Sequence, residues 1–232
     1  MSFKERIKGA AAGLAAQPVV VSERRQLSEE LVVLAFSGAQ DGSAWTPGQK
    51  VKLRVDGVLR SYTPMRWTGD RMELLFHLHG QGPAAQWAAK AQVGDAASYL
   101  GPARSVPAPT PADWCLVIGD QTALGLFVAW AEAAERPMHG AVVLDGAPTP
   151  VLAELGLSLD VVRADQAALW AERWALPPGR GEILLSGEAD MAKACRDALL
   201  ARGVDRSWIR FKPYWAVRGK ARRKEIEREA AR

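Results

Sequence analysis

Lys50-Val51-Lys52-Leu53-Arg54-Val55 alternates charged and apolar residues with the period of a half-buried β-strand, and Asp56-Gly57 then turns the chain into Val58-Leu59-Arg60-Ser61-Tyr62-Thr63-Pro64. Some fifty residues on, Trp114-Cys115-Leu116-Val117-Ile118 has no such alternation. It is a continuous apolar run closed by Gly119-Asp120, the pattern of a strand covered on both faces in a parallel sheet. The two stretches predict two architectures in one chain of 232 residues, antiparallel first and α/β second.

Working outward from the first stretch, Val19–Val21, Leu31–Phe36 and Arg71–Leu78 read as further strands, with Thr46-Pro47-Gly48 and Thr68-Gly69-Asp70 as turns. From Gly82 to Lys90 the period changes to that of a helix, with Pro83 in its first turn. Val93-Gly94-Asp95 turns back into a last strand ending near Gly101-Pro102. These elements predict a small antiparallel Greek-key β-barrel over 1–106. Four prolines between Pro102 and Pro111 mark the connection to the second half. There, strands at Trp114–Ile118, Ala141–Leu144, Leu159–Arg163 and Glu182–Leu185 alternate with helices at Thr122–Glu135, Gln166–Trp174 and Ala189–Arg202, the last closed by Gly203. The prediction for 107–232 is a doubly wound parallel sheet with a basic helical tail.

Composition narrows the chemistry. No apolar run reaches the roughly 18 residues of a membrane span. The N-terminal stretch to Val21 is too thin in apolar residues for a secretory signal and is expected to form a short helix. The two cysteines, Cys115 and Cys195, are too few for an iron–sulfur cluster and form no disulfide framework, so a reduced, cytoplasmic protein is expected. Neither a zinc spacing nor a Ser-His-Asp arrangement is present, and no metal site is expected. The net charge of +4 is unevenly placed: from Arg206 to Arg232 ten Lys/Arg stand against three Glu, an excess of +7, leaving −3 for the rest. Such a tail can meet an anionic ligand or simply be solvated. No aromatic-interleaved RNA-binding signature accompanies it, so it does not point to nucleic acid.

Arg60, Ser61, Tyr62 and Thr63 together offer a cation for a phosphate, a flat ring for a flat cofactor and a hydroxyl beside it, although an ordinary strand with a surface arginine would look the same. The stretch, with Pro47-Gly48-Gln49 before it, resembles the R-x-Y-T element of ferredoxin-reductase-like flavoproteins. His79-Gly80-Gln81-Gly82-Pro83-Ala84-Ala85-Gln86-Trp87-Ala88 is similar to the H-G-x-G-P-A-x-x-W-A segment of siderophore-interacting proteins. Gly119-Asp120-Gln121-Thr122-Ala123-Leu124 resembles that family's G-D-E-T-A-L, and Leu184-Leu185-Ser186-Gly187-Glu188-Ala189 its later strand-end segment. Lys212-Pro213-Tyr214-Trp215 through Gly219 is similar to its Y-W-x-x-G, with one residue more before the glycine.

The resemblance implies FAD, with Arg60 on the flavin phosphate, Tyr62 packed on the isoalloxazine and Thr63 near the reactive nitrogen, the last two being the catalytic pair. It extends the cofactor contacts to Ser61, His79, Gly80, Gly82, Pro83, Ala84 and Trp87. Free amides at the helix start that follows Gly82 would suit a pyrophosphate, and hence FAD over FMN. For NADPH or NADH it implies Asp120, Thr122, Ala123, Gly187 and Glu188, with Trp215 near the cofactors. Met65 stands where the family often has a second arginine, and Gln86 and Gln121 replace charged residues, which bears on nucleotide preference. The activity implied is reduction of a ferric siderophore or other iron chelate. A flavin takes electrons in pairs and releases them singly, as ferric iron requires. Arg210, Lys212, Arg218 and Lys220 are expected to recruit an anionic chelate. Open beside this reading are a general NAD(P)H-dependent flavin or ferric reductase or an electron-transfer partner without siderophore specificity, a ferredoxin as electron donor in place of NADH or NADPH, and a non-redox chelate-binding protein.

Overall fold

The computed structural model describes residues 16–79, 82–134, 136–144, 148–217, 219 and 224–228. The chain divides into two compact units, Met1–Pro107 and Ala108–Arg232.

The first unit is a seven-stranded antiparallel sheet. Its strands are β1 (Gln17–Ser28), β2 (Leu31–Ser37), β3 (Lys50–Val55), β4 (Val58–Tyr62), β5 (Arg66–Thr68), β6 (Arg71–His77) and β7 (Ala96–Ala103), with helix α1 (Pro83–Lys90) between the last two. The order β4-β3-β7-β1-β2-β6-β5 separates β2 from β3, as a Greek-key path does. The turn from β3 to β4 needs positive φ at both central residues, and Asp56 (φ 45°) and Gly57 (φ 73°) provide it. One face of the sheet wraps a single core holding Val32, Leu34, Phe36, Leu53, Met72, Leu74, Phe76 and Tyr99. The expected barrel does not close, because the terminal strands β4 and β5 are not hydrogen-bonded to each other. Helix α1 packs on β2, β4 and β6 and sends Ala84 and Ala88 into the core, so it covers the open side.

The second unit is a five-stranded parallel sheet of order β10-β9-β8-β11-β12. The strands are β8 (Trp114–Asp120), β9 (Met138–Val143), β10 (Asp160–Val162), β11 (Gly181–Glu188) and β12 (Ile209–Trp215). The helices are α2 (Leu124–Ala133), α3 (Pro148–Leu155), α4 (Ala167–Arg173) and α5 (Ala189–Ala201). The chain runs outward from β8 to β10, then returns to the other side of β8 for β11 and β12. The order therefore reverses between β8 and β11, where open α/β sheets bind ligands. Both strands are almost wholly buried, as the apolar run at Trp114 anticipates. At the opposite end of the sheet, Glu182, 1% exposed, accepts hydrogen bonds from Thr110 N (2.5 Å) and Oγ1 (3.0 Å) and from Arg136 Nη2 (3.2 Å), which ties the proline-rich connection to β11.

The tail differs from expectation. Residues 209–215 form β12 in parallel register with β11 instead of joining a basic helix. Ile209 and Phe211 pack on the core, and Pro213, which cannot donate to a ladder, is tolerated because β12 is an edge strand. Residues 224–228 are helical, with Ile226 fully buried and Glu227 paired to Lys212 at 2.8 Å.

Candidate functional site

In the first unit the register of β3 with β4 decides which side chains converge. Leu53 pairs with Arg60 and Val51 with Tyr62, and both Leu53 and Val51 belong to the core, so Arg60 and Tyr62 lie on the inner side of β4. Lys52 pairs with Ser61 and Arg54 with Leu59 on the outer side. Since β4 is an edge strand, its inner side opens onto the gap that α1 covers. Across that gap the Tyr62 ring lies 4.5 Å from the Phe76 ring of β6, and Phe76 stands 6.4 Å from Trp87 of α1. Tyr62 is half-buried, and burial pushes its phenol up to about 12, so it stays neutral throughout the physiological range. Thr63 is buried beside it. Arg60 is exposed. Its Nη1 donates to the Leu59 carbonyl (3.0 Å), and it has no acidic partner among the described residues.

Helix α1, which contacts β4, opens at Gly82. Gly82 precedes the helix with extended backbone and no side-chain cap, and Pro83 occupies its first turn. The first-turn amides of Ala84 and Ala85 therefore have no side-chain acceptor. A Cβ on Gly82 would meet the His79 imidazole at 2.8 Å, so the exposed His79 ring rests against the glycine. Of the residues expected to meet a cofactor here, Arg60 and Tyr62 share the inner side of β4 with Thr63 just beyond, His79 lies against Gly82, and Pro83 and the Ala84 amide open α1. Ser61 is sent to the other face by strand alternation, which leaves only its backbone on the site side. Trp87 faces the core, stacked on Phe36 at 6.4 Å, and anchors the helix. Gly80 lies outside the described residues. An exposed guanidinium and a helix start without a side-chain cap suit the phosphates of a flavin dinucleotide, and a half-buried ring suits its flat system.

In the second unit a cleft of about 790 Å³ opens at the carboxyl ends of the strands, lined among others by Asp120, Gln121, Arg163, Glu188 and Trp215. Asp120 ends β8 and is 4% exposed. Its Oδ1 accepts from Thr122 N (2.8 Å) and Oγ1 (2.5 Å), and its Oδ2 accepts from Glu188 N (2.7 Å) and Trp215 Nε1 (2.9 Å). Burial pushes this carboxyl above the ordinary range, and the donors from Thr122, Trp215 and Glu188 pull against it. Gly187 (φ +88°) is required by the same contact, because a Cβ there would meet Asp120 Cγ at 2.7 Å. Glu188 caps α5 through Met191 N (2.8 Å) and accepts from Val217 N (3.3 Å).

Sequence alone sets Asp120, Thr122, Gly187 and Glu188 against a nucleotide. Asp120 and Glu188 do line the cleft, and the side-chain oxygens of Asp120, Thr122 and Glu188 also knot the ends of β8, β11 and β12 together, with Gly187 allowing the close approach of Asp120. Ala123 is fully buried. Lys212, expected at substrate, has its ammonium on Glu227, and Arg210 is turned to Ser207 O and Glu182. Arg218 and Lys220 lie outside the described residues. Phe76, Met191 and Val217 carry no sequence signal, since each reads as an ordinary apolar residue of its element.

Two family models match in succession, the siderophore-interacting FAD-binding domain over residues 27–106 and the siderophore-interacting protein over 112–218. The chain belongs to the siderophore-interacting protein family. Among curated relatives, ferric vibriobactin reductase ViuB of Vibrio cholerae is 29% identical over 180 residues, covering 70% of this chain and 66% of that protein. The chain thus spans just under two thirds of that relative. The NADPH-dependent ferric-chelate reductase of Escherichia coli is 27% identical over 187 residues, 76% of this chain and 71% of that protein. The solved siderophore-interacting protein from Acinetobacter baumannii superposes with a TM-score of 0.75 at 16% identity, covering 94% of this chain and 97% of that one, a likeness of fold. Family membership agrees with an FAD-binding antiparallel unit followed by a parallel-sheet unit. Among the described residues no helix is long and apolar enough to cross a membrane, and no cluster of side chains could hold a metal ion.

Proposed function

We propose that this protein is a cytoplasmic FAD-dependent reductase that moves electrons from NADPH or NADH to a ferric siderophore or similar ferric chelate and releases the iron as Fe(II). The observation that carries the reading is the register of β4, which puts Arg60 and Tyr62 on the same inner side of an edge strand that α1 contacts. In this arrangement Arg60 and the first-turn amides of α1 hold the pyrophosphate, and Tyr62, braced by Phe76, backs the flat ring. Thr63 supplies a hydroxyl in a water-poor position. When bound, the flavin accepts electrons in pairs and delivers them singly. The cleft of the second unit takes the nicotinamide nucleotide at the switch point of the sheet. Because burial pushes the Tyr62 phenol up to about 12, Tyr62 contributes positioning rather than acid–base chemistry. Reduction loosens the chelate because hard oxygen ligands hold Fe(III) far better than Fe(II). Recruitment of anionic chelates by the basic C-terminal segment rests on Arg218, Lys220 and their neighbours, since Arg210 and Lys212 are engaged internally.

Steady-state assays with a colorimetric Fe(II) trap test this. Ferric catecholate or hydroxamate chelates should be reduced with a higher kcat/KM than a simple ferric salt, with NADPH or NADH as donor. Equal rates on all iron sources would leave a general ferric reductase. Activity only with a reduced ferredoxin would replace the donor.

A further inference from the structure

We propose that Asp120 is a positioning residue that fixes the Trp215 indole as the wall against which the nicotinamide ring stacks. The proposal rests on the reading that the cleft of the second unit takes a nicotinamide nucleotide. Trp215 ends the edge strand β12 and is 42% exposed, an unusual place for a large flat side chain. Its polar edge is nevertheless turned inward, where Nε1–H donates at 2.9 Å to the buried Oδ2 of Asp120. A charged acceptor held in place by Thr122 and the Glu188 amide makes that bond strong and its direction fixed. The indole thus loses its rotational freedom before any ligand arrives, which lowers the ordering cost of binding. The backbone just beyond is held as well, through Val217 N on Glu188 Oε1. Trp215, Val217, Asp120 and Glu188 all line the cleft, so the accessible part of the fixed ring is cleft wall.

The topology selects which ring meets it. A dinucleotide lying across the switch point places its pyrophosphate at the first strand-to-helix turn and its adenosine toward the strands that follow, here β9 and β10. The nicotinamide then falls on the β11–β12 side, where Trp215 stands. Sequence similarity marks Asp120 and Trp215 as separate cofactor contacts. The bond between them makes them one device.

Calorimetric titration of the full-length, flavin-loaded protein tests this without turnover. The ligands are NAD⁺, NADP⁺ and their counterparts lacking the nicotinamide, ADP-ribose and 2′-phospho-ADP-ribose. Trp215→Ala should raise the Kd of the nicotinamide-bearing pair about tenfold, the scale of a lost ring stack, and leave the other pair within about twofold. Asp120→Asn and Trp215→Phe should each weaken the first pair about threefold, and the double variant no more than the worse single one, because both remove the same bond. Should Asp120→Asn fail to fold, Trp215→Phe breaks the bond from the other side. Equal losses for all four ligands, or multiplied effects in the double variant, overturn the proposal. Variants that bind as the parent does overturn it while sparing the nucleotide reading; a parent protein that binds none of the four overturns both.

Discussion

Arg60→Ala should strip the protein of flavin while leaving it folded. The side chain is exposed, and its one described hydrogen bond is to the carbonyl of its own neighbour, so its removal leaves nothing buried without a partner. With Nη1 so engaged, the Nε–Nη2 edge remains for a phosphate, which allows two charge-assisted bonds. At the lower end of their range, about 1.5 kcal/mol each because the site is solvent-facing, they sum to about 3 kcal/mol, or roughly a 150-fold rise in the FAD dissociation constant. Arg54→Ala is the matched control: the same charge is removed one strand away, but the β3–β4 register puts Arg54 on the outer face opposite Leu59. Its effect on FAD affinity should stay under about twofold. Apoprotein of each variant is titrated with FAD, following flavin fluorescence, with circular dichroism to confirm the fold. Equal losses in the two variants would falsify the register argument, because Arg60 would then act only as part of the overall charge.

Three further outcomes follow from the second unit. Gly187→Ala must place a Cβ 2.7 Å from Asp120 Cγ at φ +88°, so it should cost about 3 kcal/mol or more. Gly57→Ala, at φ +73° with nothing within 4 Å, should cost only about 1–2 kcal/mol; comparable losses on thermal unfolding would remove the packing role given to Gly187. Glu182→Gln should leave Arg136, whose side chain is 13% exposed, without its anion at a cost of about 3 kcal/mol. Over a unit of about 125 residues that lowers the melting temperature by about 10 °C, and an unchanged midpoint would contradict the clamp. Burial pushes both Cys115 and Cys195 up to about 12, so at pH 8 only about one thiol in ten thousand is ionised. A disulfide reagent such as Ellman's should label neither until the protein is unfolded, and rapid native labelling would show that the strand or helix holding the thiol opens.

Much of this is legible in the sequence where the signal is local. The alternation of Lys50–Val55 and the Asp56-Gly57 turn are enough to set the inward face of Arg60 and Tyr62. The unbroken apolar run at Trp114 announces a parallel strand, and Pro83 marks the start of α1. What escapes is non-local or masked by composition. Strand β12 hides in a run rich in Arg and Lys, because its basic residues obscure the apolar positions Ile209 and Phe211. The contact of Tyr62 with Phe76 depends on how the sheet curls, and nothing in residues 71–77 distinguishes Phe76 from its neighbours. Asp120 and Trp215 are 95 residues apart, so sequence marks each as a ligand contact without showing that they are hydrogen-bonded to each other. Gly187 likewise reads as a nucleotide contact, and nothing local shows that it also permits the close approach of Asp120.

The central claim is that the first unit holds a flavin dinucleotide by its phosphates. The most direct measurement is the visible spectrum of the protein loaded with FAD or with FMN, followed by anaerobic addition of NADPH and NADH. FAD should be retained with its absorption near ~450 nm and bleach with one of the reduced nucleotides, whereas FMN, with no pyrophosphate for the α1 start, should wash away. Equal retention of FMN, or a protein that takes up neither flavin, would contradict the account.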